Sequence, residues 1–335
     1  MKIALISNDT KNIFPHYGNG GTQSCVENLA VGLHQAGKDF FVICPKRKYK
    51  NDINYPFKII EADFFPKEDD IKNDKTYEQA VNEVVSSEKP DLVLTQQEEL
   101  LNDQNLKNCK LITTRHDSGD KNKELIYKPN LNYRFISQNQ YNTWVRSEDD
   151  KKCSFWCYTG FSDQEYDLNL KPEDYYLWVG SFGWGWEAKG LNIFIELANY
   201  FKEKNFVIYG CGNPPIEELV LSSVKDNKNI YYGGMLKRGD QHTKVFKNAK
   251  CLVQLSSMNE AYGRTSVEAM TKGTPVITNF NGANPEIVGT GGLRINSGDE
   301  LLNAIEKVGN LDREEVFNYS KKFHVKHEAR ILTNV

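Results

Sequence analysis

The sequence predicts an α/β protein built from two doubly wound, Rossmann-like domains, and three observations carry that prediction. Short β-branched and apolar runs alternate with longer helical patterns from one end of the chain to the other, the signature of parallel sheets made of β-α-β units. At 335 residues the chain exceeds the size at which one hydrophobic core keeps growing, so two domains of roughly 150 residues each are expected. A polar, turn-rich stretch at 159–174 separates two such alternating series.

In the first series the strands read as 2–7, 39–44, 57–61, 91–95, 110–114, 133–136 and 153–157. Helices fit between them at 22–36, with Gly37 as a cap, and at 76–88, which ends before Pro90. The second series starts with YYLWVG at 175–180 and continues through FVIYG, NIYYGG, CLVQLS and PVITN, with helices near 190–203, 214–225, 240–248 and 264–272. Residues 312–335 hold two short helical patterns. Domains are therefore expected at 1–158 and 159–320, with a helical tail at 321–335. Ligands of open parallel sheets bind beyond the carboxyl ends of the strands. Gly20 and Gly21 lie beyond the first strand, His116 just past LITT, Lys189 past the first strand of the second series, and Glu260 past CLVQLS. All of them are expected to face one cleft.

Composition excludes several classes. A net charge of −3 and a pI of about 6.1 argue against a nucleic-acid partner, because such proteins carry a basic surplus to replace phosphate counterions. The seven cysteines lie mostly in or beside apolar runs and read as reduced, buried thiols of a cytosolic protein. Cys153 and Cys157 form a close pair with no second pair at zinc-ligand spacing, so no structural zinc is expected, and the sequence contains no D-x-D triplet of the type that holds a divalent ion with a diphosphate, so no metal is expected there either. No apolar run reaches the roughly 18–20 residues of a membrane span, and Met1 leads straight into the strand KIALIS, so the expected location is the cytoplasm. Lys46, Arg47, Lys48 and Lys50, and again Lys321, Lys322, Lys326 and Arg330, form small basic clusters. Such runs are usually solvated surface; facing an anionic membrane together, each charge would add roughly 1 kcal/mol, enough for reversible peripheral docking.

The most informative segment is SSMNEAYGRTSVEAMTKGTPVITN, which holds Glu260 and Glu268. Serines and Asn259 punctuate a loop before Gly263, helix formers run from Arg264 to Thr271, Gly273 supplies a cap and Pro275 opens an apolar strand. A helix start offers N–H groups and partial positive charge to a diphosphate, while a carboxylate one or two turns along can accept from both hydroxyls of a ribose. Glu268 stands among Val267, Ala269 and Met270, where an unpaired carboxylate is costly, and a ribose diol would satisfy it. Lys189 is expected at a helix start, where it opposes the dipole unless an anion joins it. The loop GNGGTQ does not have the G-x-G-x-x-G spacing of a dinucleotide site, since Gln23 stands where a third glycine is required. Gly20 and Gly21 either make a simple turn or let the backbone approach a diphosphate or sugar. Phe182, Trp184 and Trp186, close to Lys189, either pack internally or stack on a sugar or base.

The pattern of two glutamates with Tyr-Gly between them, followed by EAM and GTPV, resembles the retaining family-4 glycosyltransferases of the GT-B fold. Other landmarks recur in that family's order: GGTQSCVENLAVGLHQAGKDFFVI near the start, TTRHD with His116 and Asp117, WVGSFGWGWEAKGL with Lys189, IYGCGN, and NGANPEIV. The resemblance covers nearly the whole chain. It implies two Rossmann-like domains facing across a cleft, with a tail that crosses back to the first. It also implies transfer of a sugar from a UDP- or GDP-linked donor to a saccharide or lipid-linked acceptor, without a cofactor. By the same resemblance Lys189, Arg264 and Thr265 would meet the diphosphate, Glu268 the ribose, and Glu260 with the backbone of Tyr262 and Gly263 the sugar hydroxyls. His116 would contact the transferred sugar near the reacting carbon, with Asp117 orienting its ring. His16, His34, His242, His324 and His327 show no comparable setting. Ser181 departs from the pattern, for the family usually has arginine there; either another cation serves, with Arg264 the nearest candidate by motif, or activity is weaker than usual. A sugar-nucleotide epimerase or hydrolase of the same fold, and a non-catalytic nucleotide-sugar-binding protein, are the readings left beside transfer.

Overall fold

The computed structural model describes residues 1–7, 21–46, 55–66, 72–96, 100–118, 125–185 and 187–335. Its first elements are β1 (Ile3–Ile6), α1 (Gly21–Gln35), β2 (Phe40–Pro45), β3 (Lys58–Ala62), α2 (Tyr77–Glu88), β4 (Leu92–Thr95), α3 (Asp103–Leu106), β5 (Lys110–Arg115), β6 (Leu131–Phe135), α4 (Gln138–Trp144), α5 (Glu148–Lys152) and β7 (Ser154–Trp156). There follow β8 (Tyr175–Ser181), α6 (Leu191–Tyr200), β9 (Asn205–Cys211), α7 (Pro214–Asp226), β10 (Ile230–Tyr232), α8 (Asp240–Asn248), β11 (Cys251–Gln254), α9 (Arg264–Met270), β12 (Val276–Asn279), α10 (Asn284–Val288), β13 (Gly292–Ile295), α11 (Gly298–Lys307), α12 (Arg313–Ser320) and α13 (Val325–Leu332).

The chain divides into two compact units, Met1–Ser162 with Phe323–Val335, and Asp163–Lys322. In the first, a parallel seven-stranded sheet has the order β3-β2-β1-β4-β5-β6-β7. The strands read as near-continuous apolar runs because both faces are covered. One face packs Ala4, Ile6, Phe41 and Val93 against α2 residues Ala80, Val81 and Val85. The other packs Ile3, Leu5, Val42 and Leu94 against α1 residues Val26, Leu29 and Leu33 and α13 residues Ala329 and Leu332. Helix α2 starts where it does because Thr76 and Gln79 form a reciprocal capping box. The last helix is held from inside the unit. Arg134 Nη1 on β6 lies 2.7 Å from Glu328 Oε1, with both side chains fully buried. Gly160 N donates to Glu328 Oε2 at 2.6 Å.

In the second unit, a parallel six-stranded sheet has the order β10-β9-β8-β11-β12-β13. Its core gathers Tyr176, Trp178, Phe194, Phe206, Ile208, Val253 and Ile277. The expected strand list omits β13, whose short sequence GLRI between glycines carries little apolar signal, and no helix was expected at α11. The entry segment is stitched to the far end of α9, since Asp167 N donates to Thr271 O and Asn169 N to Lys272 O, each at 3.1 Å.

None of the seven cysteines forms a disulfide, and Cys211 alone of them is not buried. No helix of the described residues is long and apolar enough to cross a membrane. Of the first basic cluster, Arg47, Lys48 and Lys50 lie outside the described residues, and Lys46 pairs with Asp63. Lys322 of the second is not a solvated charge. Its Nζ donates to Tyr319 Oη at 2.6 Å, and burial, opposed by Glu286, pushes its ammonium down to about 8.

Candidate functional site

In an open α/β sheet the crevice forms where the strand order reverses, and in the second unit that point lies between β8 and β11. The two loops leaving it are bonded together. Ser256 Oγ donates to Ala188 O at 2.9 Å, and Ser257 N to the same carbonyl at 3.1 Å. Gly190 follows Lys189 at φ 69°, lying flat on the backbone of Leu255. The indole Nε1 of Trp178, on β8, donates to Lys189 O at 2.9 Å. Lys189 is thus fixed at its backbone, and its Nζ donates to Glu260 Oε1 across the switch. Both side chains are mostly buried.

Glu260 is placed by the loop after β12. Ala283 N donates to Glu260 O at 2.8 Å. A Cβ on Gly282 would meet the Glu260 backbone N and O at 2.3 Å, so only glycine allows that approach. Asn279 and Asn281 both donate to Ser256 O, at 2.7 and 2.5 Å. The motif NGANPEIV therefore works as a clamp on the loop that carries Glu260.

Beyond Glu260 the chain passes the buried Tyr262, turns at Gly263 (φ 84°) and enters α9 without a side-chain cap. Helices α6, α8 and α10 also start uncapped, whereas α7, α11 and α12 are capped by Asn213, Ser297 and Asp312. Uncapped starts carry N–H groups with no intrahelical acceptor, and here they belong to helices that follow β8, β10, β11 and β12.

Glu268, one turn into α9, is not the lone carboxylate that its apolar neighbours suggest. Arg264 Nε lies 3.1 Å from Oε1 and His242 Nε2 3.5 Å from Oε2. Burial alone would raise its carboxyl; His242, Arg264 and Arg238 outweigh burial and hold it at about 2. His242 was set aside in the sequence because it stands in a polar helix start with no motif around it. Its importance comes from α8 packing beside α9, a tertiary fact. Arg238 in turn sits 3.2 Å from Glu165 Oε1, and the fully buried Lys272 donates to Glu165 O.

Ser181, at the position of the expected arginine, accepts from Gly183 N at 3.1 Å and starts a short turn. Phe182 is buried, with its ring 5.9 Å from that of Trp178, which is the packing alternative for that residue. Trp186 and the side chain of Trp184 lie outside the described residues. Thr265 opens the first turn of α9 beside Arg264.

In the first unit the strand order reverses between β1 and β4. Gly20 lies outside the described residues, and Gly21 is the first residue of α1. His116 follows β5, and its Nε2 lies 2.6 Å from Oε1 of the buried Gln96, which follows β4. Asp117 stands 4.0 Å from Arg115 Nε, and its carbonyl accepts from Gln140 Nε2 at 2.6 Å. Gln96 was missed in the sequence, although a glutamine directly after an apolar strand is the kind of polar residue that marks a strand's functional end.

Among the described residues no group of three metal-ligating side chains comes together. A depression of about 180 Å³ lined by Pro172, Lys250, Pro275 and Arg313 lies at the amino ends of β8, β11 and β12, away from all these loops.

Residues 173–310 match the family described as "Glycosyl transferases group 1". No curated protein sequence matches the chain. Among solved structures, AviGT4, a glycosyltransferase involved in avilamycin A biosynthesis, is similar with a TM-score of 0.73 at 16% identity, over 99% of this chain and 96% of that one. Sucrose-phosphate synthase from Thermosynechococcus elongatus gives 0.71 at 18% identity, over 99% and 97%. HepE from Anabaena, in complex with UDP-glucose, gives 0.69 at 15% identity, over 99% and 98%. At such identities the likeness establishes the fold, and that fold is GT-B.

Proposed function

We propose that the protein is a retaining glycosyltransferase that moves a sugar from a UDP- or GDP-linked donor to a saccharide or lipid-linked acceptor hydroxyl, without a metal. The observation that carries this reading is the Lys189–Glu260 pair at the strand-order switch, beside the uncapped start of α9. An ammonium and a carboxylate held together there suit the two halves of an activated sugar. The ammonium would take the diphosphate, and Glu260, with the backbone of Tyr262 and Gly263, would take the hydroxyls of the sugar joined to it. Arg264 and Thr265 would share the diphosphate, and Glu268 would accept from the ribose. The match over residues 173–310 and the likeness to a fold solved with UDP-glucose support the assignment.

The bond between the anomeric carbon and the phosphate oxygen breaks, and the acceptor oxygen bonds to the same face of that carbon. The acceptor's proton passes to the leaving phosphate oxygen. Negative charge grows on the diphosphate as it leaves, so fixed cations and N–H donors there lower the barrier most. His116, held by Gln96, would steady the oxocarbenium-like sugar. The work would be done in the cytoplasm, with peripheral docking on an anionic membrane for a lipid-linked acceptor.

Calorimetric screening against UDP- and GDP-sugars, followed by NMR of the anomeric linkage in the product, tests the proposal. Donor binding, retained configuration and full activity in EDTA are expected. Inverted product or strict dependence on manganese would overturn it.

A further inference from the structure

His242 has no place in the donor contacts above, yet it is built into the same carboxylate. Its ring lies 4.7 Å from that of Phe246, one turn further along α8, and Phe246 is fully buried. The imidazole is therefore backed by an apolar wall while its Nε2 edge meets Glu268 Oε2 at 3.5 Å. Neither side chain is more than 13% exposed, so solvent does little to screen or replace the contact. Glu268 Oε1 meets Arg264 Nε at 3.1 Å. The carboxylate plane is thus set from two helices, one partner on each oxygen.

Each carboxylate oxygen offers about two acceptor positions. With one position on each oxygen facing a protein partner, one on each is left, which is the requirement of two vicinal hydroxyls. The two partners are not equivalent. Arg264 stands in the first turn of α9, where a diphosphate would draw its guanidinium away, and His242 would then be the partner that keeps the carboxylate aimed. Arg238, whose charge also acts on Glu268, is anchored on Glu165.

We propose that His242 is the positioning residue that aims Glu268 at a ribose cis-diol, and so makes the site select ribonucleotides over 2′-deoxyribonucleotides. This rests on the donor reading given above. The test is calorimetry with UDP, GDP and their 2′-deoxy analogues on the full chain and on H242L, H242N and H242Q, with melting temperatures measured alongside. The leucine keeps the apolar packing, the asparagine keeps polarity but falls short of the carboxylate, and the glutamine can place an N–H where Nε2 stands. The wild type is expected to prefer the ribonucleotide by at least about tenfold. H242L and H242N should lose about tenfold in ribonucleotide affinity, leave deoxynucleotide affinity within about twofold, and so erase the preference. H242Q should restore most of it. Should H242L fail to fold, H242N carries the same comparison. Equal weakening of both nucleotides, or no weakening of either, overturns the proposal and leaves the donor reading standing. So does a wild type that binds both sugars equally. A wild type that binds neither UDP nor GDP overturns the donor reading, and this proposal with it.

Discussion

The Cβ that Gly190 lacks would stand 2.2 Å from the carbonyl oxygen of Leu255. The glycine after Lys189 is therefore a contact between the loop leaving β8 and the end of β11, and it sets how far the lysine reaches toward Glu260. Alanine there must shift the loop and occupy a left-handed conformation. G190A is expected to cost about 2–4 kcal/mol, seen as a lowered melting temperature, and to weaken nucleoside-diphosphate binding as well. Unchanged stability would mean that the two loops are not in contact.

The proposed function gives Lys189, tied to Glu260 at the strand-order switch, the diphosphate. K189M should weaken binding of UDP or GDP by about 10–100-fold, and binding of the parent nucleoside by no more than about twofold. Calorimetry with the two ligand classes separates them, and equal losses would move Lys189 out of the phosphate site.

Glu268 gives the site an acid limit. Its folded carboxyl is held at about 2 against an ordinary value of 4.5 by His242, Arg264 and Arg238, which together outweigh burial. A carboxyl lowered on folding contributes stability that is complete above its unfolded value and is lost as pH falls through its folded one. Denaturant melts of wild type and E268Q should therefore differ most above about pH 5 and converge toward pH 2. Curves that stay parallel over that window would show the carboxylate to be unpaired.

Gln96 holds the ring of His116 through Nε2. Removing that partner without changing volume much, in Q96L, should lower kcat by about tenfold or more while donor affinity stays put. A loss in donor affinity alone would argue against His116 acting at the reacting carbon.

The pair Arg134–Glu328 is fully buried, and leaving one charge behind there is expensive. E328A is expected to destabilise the first unit by about 3–5 kcal/mol, measured by thermal or urea melts, with deletion of α13 worse still. A neutral result would mean that the last helix is a dispensable appendage.

Most strands and the long helices were legible because both faces of a parallel sheet are covered, so strands read as unbroken apolar runs, as in Phe40–Pro45 and Val276–Asn279. β13 was not, since GLRI is short and its exposed Arg294 breaks the pattern. Within the site, Lys189 and Glu260 were legible through local motifs. Their mutual contact was not, because it depends on which strands neighbour each other. His242 shows the same limit more sharply. Nothing within ten residues marks it, and its setting arises only when α8 is laid beside α9. The contact of Arg264 with Glu268 was not foreseen either, although the i to i+4 spacing of a helix brings the two together.

Because Phe323–Val335 completes the first unit, residues Asp163–Lys322 form an insertion within it. During synthesis the amino-terminal sheet leaves the ribosome without the helix that covers Val26, Leu29 and Leu33, and at roughly 5–20 residues per second it waits on the order of ten seconds for it. The last residue of the inserted unit is translated before the helix that closes the first, the reverse of the order in which the two units begin.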